Sequence, residues 1–458
     1  MEKSKNTAAK LGEMPIPRLV LNMSAPAIVS MMVQSLYNVV DSIFVSGYSE
    51  DAMAAVALAF PIQLVVIAVS VGTGIGINSM ISRRLGAKDL KGASNSAEHG
   101  ILLLMLFSVL FAFIGIYTSR YFFGIFTDDA LLIEYGTTYI TIILALSVGR
   151  MMSQAFMSIL QGSGDMKTPM TGHILGAVTN IVLDPILIYG HVGNLYFCDP
   201  MGIKGAAIAT VIGQSVTFIF LAIMFFSREH VVKLDIKNFR LKRDILSGIL
   251  KVALPAMVAQ AIVSLMVVGI NKVLALVNFS AVTAFGVYIK IQSIVFMPIF
   301  GLSTGMMPIC GFSFGANNKK RFTEAVKVSW FYALAVALFG LIMFETMPRT
   351  LLGIFSLSDE VMGIAIYTMR IIAIGLPIGA TIVILASALQ AIGKSYITLI
   401  SNALRGIVVL LPLIYFFSRW FGVNYGWFAG PIADLTALVY IGTTYFRLMK
   451  KWDEMPGR

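Results

Sequence analysis

Two carboxylates, Asp41 and Asp184, stand in apolar stretches of the chain, and each has amides at helical spacing beside it. In "VQSLYNVVDSIFV", Gln34, Asn38 and Asp41 fall on one face of a helix, and in "TNIVLDPILIYG" Asn180 and Asp184 are one turn apart. Two carboxylates shielded from water and close together resist being charged at the same time. The pattern predicts a cation or proton site on two separate helices. The alternative for each acid is a position at a helix end in contact with lipid headgroups.

The elements that position these acids must be membrane helices. The 458 residues are 58% hydrophobic and 12% charged, and the mean hydropathy is +0.85. Soluble domains are about one quarter charged, so this composition predicts an all-α integral membrane protein. Windows of about 20 apolar residues cross a bilayer as a helix. Twelve such spans are predicted: 20–46, 52–82, 95–119, 131–158, 167–190, 203–227, 245–276, 280–312, 322–347, 360–388, 395–418 and 424–446.

The net charge of +11 follows the membrane topology. Of the 34 Lys and Arg residues, 24 fall in the two termini and in alternate loops, and the other loops hold only Arg120, Lys204, Arg349 and Arg419. By the positive-inside rule both termini are cytoplasmic and the number of spans is even. The basic charge therefore gives no reason to expect nucleic-acid binding.

The sequence repeats itself at an offset of 229 residues. Pro26 falls on Pro255, and Gln63 falls on Gln292; Gly72, Gly76 and Gly86 fall on Gly301, Gly305 and Gly315. This predicts two parallel six-helix lobes, 1–227 and 245–458, an arrangement typical of secondary transporters. The basic linker 228–244 between them is predicted to be an interfacial helix on anionic lipid.

The repeat separates shared scaffold from residues that only one half carries. Asp41 maps to Ile270, Asn180 to Val409 and Asp184 to Leu413, so the acidic set belongs to the first half alone. The second half carries bases within its spans: Lys272, Lys290, Arg370 and Arg405. Its one deep acid, Asp434, is expected to pair with one of them.

Several other patterns carry no chemistry. "AIGKSY" and "GSGDMKTP" lack the full phosphate-loop pattern and follow no strand, and the four histidines are scattered. We therefore expect no enzyme activity, no metal and no cofactor. Phe296 and Met297 are candidates for a soft pocket that accepts flat hydrophobic cations, and Lys290 is a further candidate for substrate contact.

The chain resembles the MATE (multidrug and toxic compound extrusion) family, most closely its bacterial MepA-type branch. The resemblance rests on "APAIVSMMVQSLYNVVDSIFVSGYSEDAMAAVALAFPIQ", the paired loops "SRRLGAKD" and "FSFGANNKK", the "LQGSGD" turn and "GPIAD" near the end. It covers nearly the whole chain and implies a V-shaped fold of twelve helices. It also implies export of cationic, often aromatic drugs in antiport with protons or sodium.

Carried over residue by residue, the ion site of the family's amino lobe falls on Gln34, Asp41, Tyr139, Asn180, Asp184 and Thr210. The acids that some members place in the carboxy lobe are absent, which favours protons over sodium. We expect a monomer in the bilayer whose partners are cationic drugs and protons or sodium. A flippase for lipid-linked saccharides, from the same superfold, is the alternative.

Overall fold

The computed structural model describes residues 10–193, 195–355 and 357–455 as a nearly all-helical protein. The prediction of an all-α membrane protein is confirmed. The only strands within these ranges form a small antiparallel hairpin, β1 (His191–Val192) with β2 (Leu195–Tyr196). Lys3, Lys5 and Arg458, which contribute to the predicted cytoplasmic charge, lie outside the described residues.

The helices follow the predicted order. In the first half they are α1 (Ile16–Tyr48), α2 (Glu50–Gly86), α3 (Leu90–Phe126), α4 (Ala130–Ala145), α5 (Val148–Gly162), α6 (Lys167–Tyr189) and α7 (Ile203–Ser227). In the second half they are α8 (Arg243–Val277), α9 (Phe279–Gly315), α10 (Lys319–Thr346), α11 (Pro348–Leu352), α12 (Asp359–Ala373), α13 (Leu376–Ala391), α14 (Ser395–Ala403), α15 (Leu411–Trp420), α16 (Val423–Gly426) and α17 (Ala429–Lys450). A π-helical stretch, Leu404–Leu410, joins α14 to α15.

Most of the predicted spans are single long helices. Among the described residues, nine helices are long and apolar enough to cross a membrane, with α14 and α15 taken as one. The fourth and tenth spans are bent pairs, α4 with α5 at 43° and α12 with α13 at 50°. The twelfth corresponds to α17, 22 residues long, whose apolar character is reduced by Asp434 and by several threonines.

The two halves repeat each other in backbone detail. Lys88 and Asn317, which are equivalent by the offset of 229, both have positive φ, at 62° and 52°. Gly164 and Gly393 form a second equivalent pair, at 92° and 83°. Such values are unusual for residues other than glycine, so their recurrence shows that the same turns close both halves.

The linker between the halves is not the interfacial helix that its basic and apolar residues predict. Apart from a short 3-10 turn at Ile236–Asn238, residues 228–242 are not helical. Three backbone N–H groups of the linker donate to side chains of α3: Lys233 to Ser94 Oγ at 3.0 Å, Asp235 to Glu98 Oε1 at 2.8 Å and Lys242 to His99 Nε2 at 2.8 Å. That prediction was wrong because α3 offers the linker backbone the hydrogen bonds that a helix would otherwise supply.

The buried apolar residues form two clusters, and each takes residues from both halves. The cluster of the second half includes Leu19 and Met23 of α1, and the cluster of the first half includes Ile249 and Met257 of α8. The first helix of each half thus packs partly with the other half. The division into lobes 1–227 and 245–458 with a linker 228–244 stays a prediction.

The halves meet through glycines at one end of the bundle, which we call the closed end. A β-carbon at Gly301 of α9 would lie 2.6 Å from the Cα of Ile28 in α1, and one at Gly72 of α2 would lie 3.0 Å from the Cα of Met257 in α8. These two contacts are equivalent under the repeat. Further along, Gly86 lies against Phe312 and Gly315 against Arg83, again as an equivalent pair. The glycines that recur in the sequence therefore let the backbones of the two halves touch.

At the opposite end, which we call the open end, the same four helices present exposed faces. Leu36 of α1 and its equivalent Leu265 of α8 are each 60% exposed, and Val39 and Val268 are 55% and 56% exposed. Helices α1, α2, α8 and α9 thus touch across the halves at the closed end and separate toward the open end. We call the space between their separated faces the cleft.

Candidate functional site

Asp41 and Asp184 come together inside the first half. Asp41 is partly buried on α1 and Asp184 is fully buried on α6, and the two carboxyl groups interact electrostatically. Asn180 Nδ2 donates to Asp184 Oδ1 at 3.2 Å and to Thr210 Oγ1 on α7 at 3.5 Å. Three helices that are distant in sequence thus supply one polar cluster, which we call the acidic cluster.

Several oxygens of the acidic cluster lack a donor. Asp41 Oδ1, Asp184 Oδ2 and Asn180 Oδ1 are buried, and none has a hydrogen-bond partner among the described residues. Buried acceptors in folded proteins are nearly always paired. Three unpaired oxygens close together favour a ligand that brings positive charge or protons.

Two tyrosines complete the acidic cluster. Tyr139 of α4 is 3% exposed, lies near the side chain of Gln63 and interacts electrostatically with both carboxyl groups. Tyr37 of α1 lies near the Thr210 side chain and also interacts electrostatically with Asp41 and Asp184. The hydroxyl groups add neutral oxygen atoms around the two acids.

Gln34, which also belongs to the predicted ion site, hydrogen bonds within its own helix. Its Nε2 donates to Asn38 Oδ1 at 3.3 Å on the same helix, and no hydrogen bond within the described chain joins it to either acid. The structure therefore groups Asp41, Tyr139, Asn180, Asp184 and Thr210, with Gln34 at the periphery.

The chemistry available to the acidic cluster is set by its oxygens. Carboxylate, amide and hydroxyl oxygens suit a proton or a hard cation such as sodium. No group of three or more His, Cys, Asp or Glu that could hold a metal ion occurs among the described residues. The oxygens of the acidic cluster therefore suit the reversible binding of a proton or a small hard cation.

Sequence reasoning missed four residues near this cluster: Tyr37, Gln63, Arg150 and His173. Arg150 lies on α5, its Nε is buried without a partner among the described residues, and it interacts with Tyr37 and His173. The sequence contained features that could have indicated two of these residues. Tyr37 is one helical turn before Asp41, and Arg150 is a charged residue deep in a predicted span.

The second half arranges its charges differently. Asp434 of α17 is buried and forms an ion pair with Arg405 in the π-helical stretch, which confirms the expected pairing. Arg370 pairs with Glu345, with its Nε 3.8 Å from Glu345 Oε2. Lys272 and Lys290 are both exposed, and neither forms an ion pair with a described residue.

The predicted substrate-contact residues divide between two directions. A β-carbon at Gly379 of α13 would lie 3.0 Å from Phe296 Cζ, so the Phe296 ring packs toward α13 inside the second half. Met297 and Lys290 are seven residues apart and share one face of α9. Lys290 is exposed, and Met297 and Phe296 are partly buried. A role in substrate contact stays a prediction for all three.

Comparison with known proteins identifies the family. The MatE family model matches residues 26–186 and 255–416, two ranges that begin 229 residues apart, as the internal repeat does. The chain belongs to the MATE family. Members are transporters, so the chain is a multi-pass membrane transporter and not an enzyme.

Curated relatives in this family differ in what their names say they move. A FAD transporter of Shewanella oneidensis is 26% identical, with 92% of each chain covered. The probable multidrug resistance protein NorM of Thermotoga maritima is 25% identical, with 98% of this chain and 96% of NorM covered. The multidrug export protein MepA of Staphylococcus aureus is 22% identical, with 90% and 89% covered. These names agree with the MATE resemblance and support a multidrug transporter.

Solved structures agree with the twelve-helix MATE fold. A MOP superfamily transporter from Pyrococcus furiosus, described as having a binding pocket of reverse polarity, superposes with a TM-score of 0.90 at 26% identity. That comparison covers 97% of this chain and 98% of the other. An outward-facing multidrug resistance MATE transporter superposes with a TM-score of 0.91 at 26% identity, with 97% and 98% covered.

Proposed function

We propose that this transporter exports cationic amphipathic and aromatic compounds from a bacterial cell by antiport with protons, and that the acidic cluster couples the two movements. One observation carries the proposal: Asp41 and Asp184 lie on separate helices, interact, and each keeps a buried oxygen without a partner. If the two acids had only a structural role, partners within the protein would satisfy those oxygens. The open oxygens support a role in reversible binding.

The coupling follows from competition between ligands. A proton that neutralises Asp41 or Asp184 removes the negative charge that attracts a bound cation, so protonation from the outside favours release of the drug. The deprotonated protein, open to the inside, then binds the next cation. A gradient drives this cycle only when proton and drug differ in affinity for the two states.

Protons are favoured over sodium as the coupling ion. The second half has Ile270 and Leu413 where the first has Asp41 and Asp184. Its deep acid, Asp434, is already neutralised by Arg405. These two features leave no free carboxylate pair for a second cation site in that half.

The basic residues support an orientation with both termini in the cytoplasm. The closed end then faces the cytoplasm, because the loops after α2 and α9, with Lys88 and Lys319, lie there. The cleft accordingly opens outward. We propose that a monomer is the transporting unit, since each chain carries both walls of the cleft.

The test is ethidium movement into or out of liposomes that contain the purified protein. We expect an imposed proton gradient to drive movement in the wild type, and expect Asp41→Asn and Asp184→Asn each to abolish it without loss of folded protein. Glu345→Gln, which changes an acid at the end of α10, is the control and keeps wild-type transport. Proton-driven ethidium export that survives in Asp41→Asn would refute the coupling role, and movement under a sodium gradient alone would replace protons with sodium.

A lipid-linked saccharide flippase remains the alternative activity. Such a protein needs a strongly cationic cleft for a pyrophosphate group. Arg405 and Arg370 are both paired with acids, which leaves Lys272 and Lys290 as the bases predicted within these spans that form no ion pair with a described residue. Competition between lipid-linked precursors and ethidium, with movement of the precursor itself across the bilayer as the readout, separates the two activities, because only the flippase moves the lipid.

A further inference from the structure

Lys290 faces the cleft. At about 100° per residue, Lys290 lies within about 20° of Gly301 and of Gly315 around the axis of α9. Those two glycines contact Ile28 and Arg83 of the other half at the closed end. The same face of α9, continued toward the open end, therefore carries Lys290 on the wall that looks toward the first half.

Lys290 is also too deep for the lipid headgroups. It is eleven residues from the start of α9 at Phe279, or about 17 Å at 1.5 Å per residue. A lysine at such depth facing lipid costs about 2.5–3.5 kcal/mol. An exposed lysine at this depth is better accommodated on the wall of a water-filled cleft than against lipid.

No neighbouring acid neutralises Lys290. It forms no ion pair with a described residue, whereas Arg405 and Arg370 of the same half are both paired. Its equivalent on α2 is Pro61, flanked on the same face by Ala57 and Val65, so the opposing face of α2 carries no charge. Asp41 is turned about 100° around α1 from the contact residue Ser24, toward α6 and away from this wall.

We propose that Lys290 is the binding subsite for an anionic group, phosphate or carboxylate, on an aromatic substrate. The ammonium group supplies charge and three donors, and Met297 on the same face supplies a polarizable apolar contact for the rings. The inference rests on the proposed function only in taking the cleft as the substrate path. It adds a class of compound that a site built from carboxylates alone would repel.

Equilibrium binding to the purified protein tests this subsite with matched fluorescent probes. Riboflavin and riboflavin 5′-phosphate differ only in the phosphate, and rhodamine 123 and rhodamine 110 differ only in whether a carboxylate is free or esterified. In each pair, the member with the free phosphate or carboxylate is called the anionic probe, although rhodamine 110 also keeps its cationic ring. We expect at least one anionic probe to bind about tenfold more tightly than its partner, since a charge-assisted contact has that order of strength. The pair that shows the preference identifies the anionic group.

The variants assign the effect to one side chain. Lys290→Gln should remove the tenfold preference and leave binding of the uncharged or esterified partner unchanged, and Lys290→Arg should retain it. Lys272→Gln is the matched control: it is an exposed lysine of the same half, five residues from the end of α8, and should bind like the wild type.

The inference is overturned if neither anionic probe is preferred by the wild type, or if Lys290→Gln keeps the preference. Equal weakening of both members of a pair by Lys290→Gln also overturns it, because that result reports packing and not charge. Ethidium transport is a separate measurement. If ethidium transport is absent but an anionic probe binds in a Lys290-dependent way, the proton-antiport proposal is refuted. The proposed subsite at Lys290 is then still supported.

Discussion

The fifth span differs most between the two halves. In the first half, α6 is a regular helix that places Asn180 and Asp184 beside Asp41, and their buried oxygens stay unpaired. In the second half the equivalent residues are Val409 and Leu413, and the helix contains the π-helical stretch Leu404–Leu410. Arg405 within that stretch pairs with Asp434. The first half thus keeps acceptor oxygens without a partner. The second half has apolar side chains at the equivalent positions, and its acid is neutralised by an ion pair.

The halves agree, in contrast, wherever they touch each other. The glycine contacts of the closed end and the turns at Lys88 and Asn317 recur under the same offset. The two halves therefore share the interface and the turns, whereas their polar interiors differ. We infer that the first half carries the ion chemistry and that the second half holds its one deep acid for structure.

The largest expected effect comes from breaking the ion pair of the second half. Arg405→Leu alone leaves Asp434 buried and unpaired, and should destabilise the protein by about 3–5 kcal/mol. Replacing both residues by leucine should restore stability to within about 1–2 kcal/mol of the wild type and retain ethidium transport. Thermal denaturation in detergent and transport in liposomes measure the two properties. If the double variant folds but cannot transport ethidium, Asp434 has a functional role. The inference that only the first half carries the ion chemistry would then be wrong.

A smaller loss of stability is expected from substitutions at the interface between the two halves. Gly301→Ala places a β-carbon 2.6 Å from the Cα of Ile28, and Gly72→Ala places one 2.7 Å from the backbone nitrogen of Met257. Each should cost about 1–3 kcal/mol, because backbones must separate to admit it. Gly442→Ala, whose β-carbon meets no atom within 4 Å, is the control and should be neutral or stabilising by up to about 1 kcal/mol. Unequal losses at Gly301 and Gly72 would show that the two contacts are not equivalent in energy.

The smallest effect concerns a pair of equivalent helix caps. Asp89 Oδ1 accepts from the Gly92 N–H at 2.8 Å, and its equivalent Asn318 accepts from the Arg321 N–H at 2.9 Å. Partial burial raises the pKa of Asp89, but the Gly92 N–H and the Arg84 guanidinium, 2.6 Å away, lower it more, so the pKa lies below its ordinary value of 3.8. A lowered pKa contributes stability above the unfolded value, and that stability is lost as the pH falls through the folded value.

Asp89→Asn should therefore cost at most about 1 kcal/mol at pH 7, since the pair is partly exposed and screened by solvent. Near pH 3 the difference from the wild type should shrink, and 1 M salt should reduce it at pH 7. Arg84→Gln should give a similar loss, and the double variant should lose little more than either single one. A difference that does not change with pH would assign the effect to cap geometry and not to charge.

The repeat, the membrane spans and the buried acids could be predicted because each corresponds to a recognisable pattern in the sequence. A 229-residue offset, a run of apolar residues and a carboxylate inside such a run are all visible in one dimension. Asp434 and its pairing with a base were also predictable, because an acid deep in a span requires a partner.

The remaining features depend on contacts between distant segments. The linker is held by Ser94, Glu98 and His99, which lie more than 130 residues earlier in the chain. Phe296 packs toward Gly379, so its apolar character alone could not place it in the cleft or away from it. Likewise, the sequence could not show that Gln34 would hydrogen bond with Asn38 on its own helix.

The glycine contacts at the closed end also restrict how the protein can change shape. Side chains can turn away one at a time, but two backbones in contact part only when whole helices move. The contacts come in equivalent pairs on both sides of the interface, and Ser79 Oγ adds a bond to the Ala391 carbonyl at 2.9 Å. Opening of this end is accordingly an all-or-none event. Fluorophores attached on either side of it should jump between two separations, with no stable distances in between.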